Sequence, residues 1–254
     1  MALAIVALIG VGCGQKPKPP VTSKYSQAIF EAIEKNDLAK VEELIKKDPA
    51  VASAPAGPNH GLASISEGDT PLHFASHDVD TLEILRTLIK AKADISATNE
   101  DGEQPLHDAG WWDQPGAARE LLSAKADPNA KDNMGRTPLH SLSDHEPFEN
   151  ALGERDRRTK TGAVLLSGGA DVDARDESGM TPLHIAAMHH HIGLVELYIA
   201  EGADVNARTT APTKLVSMFL DGSTSERQFP SRSTPLGLAD DAKTKAILRK
   251  HGGK

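Results

Sequence analysis

Short apolar runs with helical spacing come in pairs along most of this chain. The first pair is Tyr25 to Ile33 and Leu38 to Ile45, where apolar residues stand three and four apart between charged ones and Asn36-Asp37 splits the two runs. This spacing predicts two amphipathic helices, each burying one face. A later pair repeats the arrangement: Pro182 to His189, a break, and then Gly193 to Ile199. Gly202 follows the second run, where a left-handed residue closes a helix. Ala203-Asp204-Val205-Asn206-Ala207 leads into an extended connection, so the predicted unit is helix, turn, helix and loop.

One tetrapeptide sets the register of these units. Thr-Pro-Leu-His occurs at Thr70 to His73, Thr137 to His140 and Thr181 to His184, with variants at Gln104 to His107 and Thr234 to Gly237. Thr supplies an N-cap oxygen, Pro takes the first helical position where no donor is needed, and Leu opens the buried face. Each copy therefore predicts the start of a short helix. Copies begin at positions 70, 104, 137, 181 and 234, so the steps are 34, 33, 44 and 53 residues. Two steps sit at the roughly 33-residue period of a helical repeat array, and two contain insertions. The insertion near 144–159 lies between the paired helices of its unit, and the one at 210–232 lies in the connection before the last unit. Long loops on rigid scaffolds often carry binding contacts, while Ser223 to Arg227 reads as a solvated, disordered segment.

Gly179 to Ala187, followed by Gly202 to Ala207, closely resembles the ankyrin repeat, and similar endings occur at Ala93-Asp94-Ile95, Ala126 to Ala130 and Ala170 to Ala174. The resemblance implies an all-α fold: an ankyrin-repeat α-solenoid of helix-turn-helix units joined by hairpin-like loops. Its repeats are expected at about 67–99, 100–132, 133–176, 177–209 and 233–254 within a domain spanning 24–254. The helix pair at 24–50 lacks the tetrapeptide and reads as an N-terminal cap, because an end unit has only one neighbour. Three departures stand out. Gln104 replaces the capping Thr and predicts a weaker cap; Lys92 and Lys125 stand where the helix-ending glycine is expected. A non-glycine residue at positive φ costs about 1 kcal/mol, so the units from Glu67 to Asp132 are expected to be locally less stable than the fourth.

Composition narrows the partner. The 254 residues carry a net charge of −8, and no basic run is longer than Arg155 to Arg158, which argues against nucleic acid. The single cysteine, Cys13, directly follows the apolar stretch Ala2 to Val11. That stretch is too short for a bilayer, which needs about 20 apolar residues, but has the length of a secretory h-region. Gly12-Cys13-Gly14 and the following Gln15 to Pro20 resemble the lipobox and tether of bacterial lipoproteins, although no Lys or Arg precedes the apolar run and Gly10 stands where Leu is usual. The resemblance implies a leader at 1–13, lipidation at Cys13, a flexible tether at 14–23 and attachment to the bacterial envelope through lipid alone.

Ankyrin-like arrays bind protein partners through a concave face made by the first helices and the loop tips, commonly with residues seven and eight after the capping Thr. Counting from each copy points to His77 and Asp78, Trp111 and Trp112, Asp144 and His145, and Met188 and His189. Both tryptophans fall at one such pair in a chain with only 4% aromatic residues, so Trp111-Trp112 leads the candidates, the alternative being that one ring packs between repeats. Loop-tip candidates are Glu100, Asp101 and Glu103, then Asn133, Met134 and Arg136, then Glu177, Ser178 and Met180. The histidines at His184 and His189 to His191, with His145, Asp144, His77 and Asp78, offer metal-binding chemistry, but their spacing matches no zinc motif, and no metal or other cofactor is expected. Protonation of the concave histidines would make partner binding pH-dependent.

The sequence contains no nucleophile elbow and no phosphate loop, so no catalytic residues are assigned. The expected function is a monomeric, lipid-anchored scaffold that binds a protein. An inhibitor or immunity protein occluding a toxin or envelope enzyme is the alternative, followed by a histidine-lined enzyme or metal carrier, and by a cytoplasmic scaffold.

Overall fold

The computed structural model describes residues 23–57, 66–144, 154–218 and 224–254. The leader, Cys13, the tether as far as residue 22, and His145 lie outside these residues. The first helix pair is α1 (Ser26–Glu34) and α2 (Leu38–Lys47), separated by Asn36 at φ 50°. The following pairs are α3 (Pro71–Ala75) with α4 (Leu82–Lys90), and α5 (Pro105–Trp111) with α6 (Pro115–Ser123). Next come α7 (Pro138–Asp144) with α8 (Glu154–Ser167), and α9 (Pro182–Met188) with α10 (Ile192–Ala200). After strands β1 (Thr213–Met218) and β2 (Thr224–Phe229), the chain closes with α11 (Pro235–Leu238) and α12 (Ala242–Lys250).

These helices stack in two rows. The first helices α1, α3, α5, α7, α9 and α11 pack consecutively along one row, and α2, α4, α6, α8, α10 and α12 along the other. The reason is visible in each helix: α4 buries Ile84, Leu85 and Leu88, and α10 buries Leu194, Val195 and Tyr198, so a single helix covers only part of its apolar face. Stacking joins these faces into one core running from Ile29 to Leu248. The all-α solenoid that the resemblance implies is the fold observed.

The tetrapeptide does more than start helices. Its histidine accepts a hydrogen bond at Nδ1 from the backbone N–H of the capping residue, at 3.0 Å in Thr70/His73 and 3.1 Å in Thr181/His184. That leaves Nε2 to donate to a carbonyl of the next unit: Glu103 for His73, Arg136 for His107, Met180 for His140 and Ser233 for His184. One residue type thus caps its own helix and fastens its neighbour. Gln104 keeps the reciprocal capping arrangement with His107, so the expected loss at that cap is confined to the hydroxyl contact that Thr70, Thr137 and Thr181 add to the ring.

Loop tips are also tied in series. Backbone N–H groups of Glu100, Asn133, Glu177 and Thr210 donate to carbonyls of Glu67, Asp101, Met134 and Ser178 in the preceding loops. Lys92 and Lys125 adopt φ 62° and 78°, and His190 adopts 59°, where glycine would fit without strain.

Within the second insertion, Ser223 lies outside the described residues, and the rest of the segment expected to be disordered is ordered. Its strands β1 and β2 pair antiparallel with Thr213 opposite Phe229 and Met218 opposite Thr224, so residues 224–227 are strand and not a solvated loop. Phe229 anchors the hairpin by packing on a small apolar cluster of Met180, Ile185, Met188 and Leu238. Burial of that ring favours an ordered return of the chain toward α11.

Candidate functional site

The end of α5 and the turn into α6 present the two tryptophans. Both are half-buried, and the Trp112 ring lies 5.0 Å from that of His77 in the preceding unit. His77 in turn meets Phe74 edge-on at 5.4 Å, and Phe74 lies 6.0 Å from Phe30, so an aromatic row crosses three units. The turn that holds Trp112 is fixed from both sides. Buried Gln114 donates from Nε2 to the carbonyls of His77 at 3.1 Å and Trp112 at 2.9 Å. Asp113, at φ 55°, accepts from the Thr161 hydroxyl of α8 at 2.6 Å.

Close helix packing makes this arrangement possible. A Cβ at Gly110 would stand 2.6 Å from the Pro138 carbonyl oxygen, so glycine lets α5 approach α7 immediately before Trp111. Asp78 is exposed beside this region, as are Glu100, Asp101, Asn133 and Glu177 at the loop tips. Glu103, Met134 and Ser178 are partly buried.

The counted positions further along the array differ. Met188 and His189 are 6% and 3% exposed, and Met180 is also buried, so these side chains are not open contact residues. Both methionines belong to the apolar cluster on which Phe229 packs, whereas His189 Nε2 faces Asp144 Oδ1 at 3.3 Å. Asp144 also accepts from Arg136 Nη1 at 2.6 Å. Burial would raise the Asp144 carboxyl, but His189 and Arg136 outweigh it and hold the group below its usual range. Arg136 and Asp144 therefore spend much of their charge on one another inside the array.

The histidines of the tetrapeptide are equally committed. Burial pushes His73 and His140 down to about 3 and His184 to about 4, so these rings are neutral at ordinary pH. His190 instead bridges Asp240 at 2.9 Å and Asp241 at 3.2 Å on the partly exposed side of the last unit. Counting along the sequence missed Asp69, Asn99 and Asp108, which are buried between the first two tetrapeptide units. Their polar character at core-facing positions was the available signal.

Residues 29–132 match the family model for ankyrin repeats in three copies, and residues 165–212 match a second one for ankyrin repeats in many copies. The chain belongs to the ankyrin-repeat family. The ankyrin match reaches back into α1 and falls away at 133–164 and beyond 212, the two regions that contain the insertions. A search of curated proteins finds no match to the chain. Ankyrin repeats are generally protein–protein interaction modules, and repeats of this kind are typically non-enzymatic scaffolds.

Proposed function

We propose that this ankyrin array binds a protein partner through the row of first helices and the loop tips, with Trp111 and Trp112 at the centre. The observation that carries this reading is the pair of half-buried tryptophans on a turn held by Gln114 and by the Thr161–Asp113 bond. Aromatic anchors on a rigid support add contact area with little ordering cost, as binding hot spots require. Asp78 near the tryptophan turn and Glu100, Asp101 and Glu177 at the loop tips are exposed acidic groups, which favours a partner bearing Lys or Arg.

Anchoring at Cys13 would place this surface a short tether away from a bacterial membrane. Cross-linking in membranes followed by mass spectrometry identifies the partner and the mass added to the Cys13 peptide. The purified partner then tests the surface: Trp111→Ala should lower affinity at least about tenfold, the size of a hot-spot loss. Unchanged affinity with an unaltered circular dichroism spectrum rejects this surface, and an unmodified Cys13 rejects the anchor.

A further inference from the structure

Asp69 and Asp108 face one another in the space between the first two tetrapeptide units, and His77 lies against Asp108. Ligand-capable atoms of Asp69, His73 and Asp108 lie within 4.8 Å of one another. His77 Nε2 is 3.5 Å from Asp108 Oδ1, which is too far for a good hydrogen bond. It is close to the separation of two ligand atoms on one tetrahedral Zn2+ ion, roughly 3.4 Å for bonds of about 2.0–2.1 Å. His73 is not available as a ligand, since its Nδ1 accepts from Thr70 and its Nε2 donates to Glu103. It forms a wall of the site.

The polar atoms here are incompletely satisfied. Asp108 is 8% exposed and its Oδ2 has no hydrogen-bond partner; neither ring nitrogen of His77 has one either, with its side chain 10% exposed. Asp69 is held by the Asn99 amide at 3.0 Å and the Ser66 backbone N–H at 2.7 Å, which orients its carboxylate. The same Asn99 amide reaches Glu103 at 3.3 Å. The Asn99 amide therefore joins two carboxyl groups, and the His77 imidazole faces a third, that of Asp108. Burial raises Asp69 and Asp108, and pushes Glu103 up to about 8. Orphaned buried polar atoms and buried acidic groups call for a cation or a proton.

We propose that Asp69, His77 and Asp108 form a binding site for one divalent transition-metal cation of the Zn2+ class. An imidazole with two carboxylates suits a borderline cation better than Ca2+ or Mg2+, which favour all-oxygen sets. Because Asp69 and His77 come from one unit and Asp108 from the next, the ion would clamp the two units whose Lys92 and Lys125 turns carry strain. It would also fix the His77 ring against which Trp112 packs.

Calorimetric titration of the metal-stripped full chain with Zn2+ provides the test, with Co2+ as a spectroscopic probe. One equivalent of Zn2+ should bind, and one equivalent of Co2+ should quench tryptophan fluorescence, given Trp112 beside His77. Asp108→Asn and His77→Gln should each weaken binding at least about tenfold, the minimum seen even when outer-shell partners are lost. His190→Ala, which removes the ring between Asp240 and Asp241, should leave it unchanged. Absence of binding, equal binding by the Asp108 and His77 variants, or loss in the His190 variant overturns the site. If the first two variants do not fold, Co2+ quenching of the parent chain decides: an unquenched signal at saturation places the ion elsewhere.

Discussion

His140 donates from Nε2 to the Met180 carbonyl at 3.1 Å, bridging two units across the whole first insertion. Its Nδ1 accepts from the Thr137 backbone N–H at 3.1 Å, so protonation would remove the acceptor on which the helix cap depends. Burial holds this ring down at about 3 and His184 at about 4, both below the ordinary histidine value of 6.5.

Stability should therefore depend on pH with a definite sign. Below about 6.5 the unfolded chain takes up protons that the folded histidines refuse, so each contributes stability at neutral pH that is lost as pH falls toward 3–4. The limiting slope is about 1.4 kcal/mol per pH unit for each histidine. His140→Gln retains an amide donor toward Met180 without titrating. Denaturant midpoints between pH 7 and pH 4 should fall more steeply for the parent than for this variant; parallel curves would remove His140 from the acid response.

Gly110→Ala should destabilise the array by about 1–3 kcal/mol, the usual cost of overpacking, because the new Cβ meets the Pro138 carbonyl at 2.6 Å. The same change should shift the near-ultraviolet tryptophan signal, since Trp111 follows directly. Urea unfolding with both probes measures this, and a stability within experimental error of the parent would show that α5 and α7 can separate freely.

Lys92→Gly and Lys125→Gly should each stabilise by about 1 kcal/mol, because φ values of 62° and 78° strain a side-chain-bearing residue. Hydrogen exchange should be faster in the parent between Glu67 and Asp132 than between Pro182 and Ile199, and should slow in the former region in both glycine variants. Faster exchange in the glycine variants would contradict the strain argument.

Phe229→Ala should release the hairpin from Met180, Ile185, Met188 and Leu238. Phe229 is only partly buried, so the loss should fall below the 3–5 kcal/mol typical of a core Phe, on the order of 1–3 kcal/mol. Amide exchange in β2 should rise at least as much as in α9. If β2 stays protected while α9 opens, the hairpin is held by its own ladder and not by this ring.

Local chemistry made much of the array legible. Thr-Pro-Leu-His marks the starts of α3, α7 and α9 because capping and the first helical turn use neighbours within three residues. Lys92 and Lys125 are legible for the same reason: a missing glycine in a known turn predicts the left-handed backbone found there. The contact positions were less legible. Counting brings Trp111 and Trp112 to a half-buried turn, but it also selects Met188 and His189, which Phe229 and Asp144 draw inward from other parts of the chain.

By itself, the sequence determined the repeated helix pair, its caps and its turns, since these follow from spacing and from bonds within one unit. Only the tertiary structure decided which polar residues face one another between units. Asp69 and Asp108 are 39 positions apart and share no motif, yet stacking α3 against α5 brings their carboxylates within 4.8 Å. Insertion 210–232 behaved likewise, because a hairpin forms by pairing and by burying Phe229 on a surface that exists only after the units have stacked.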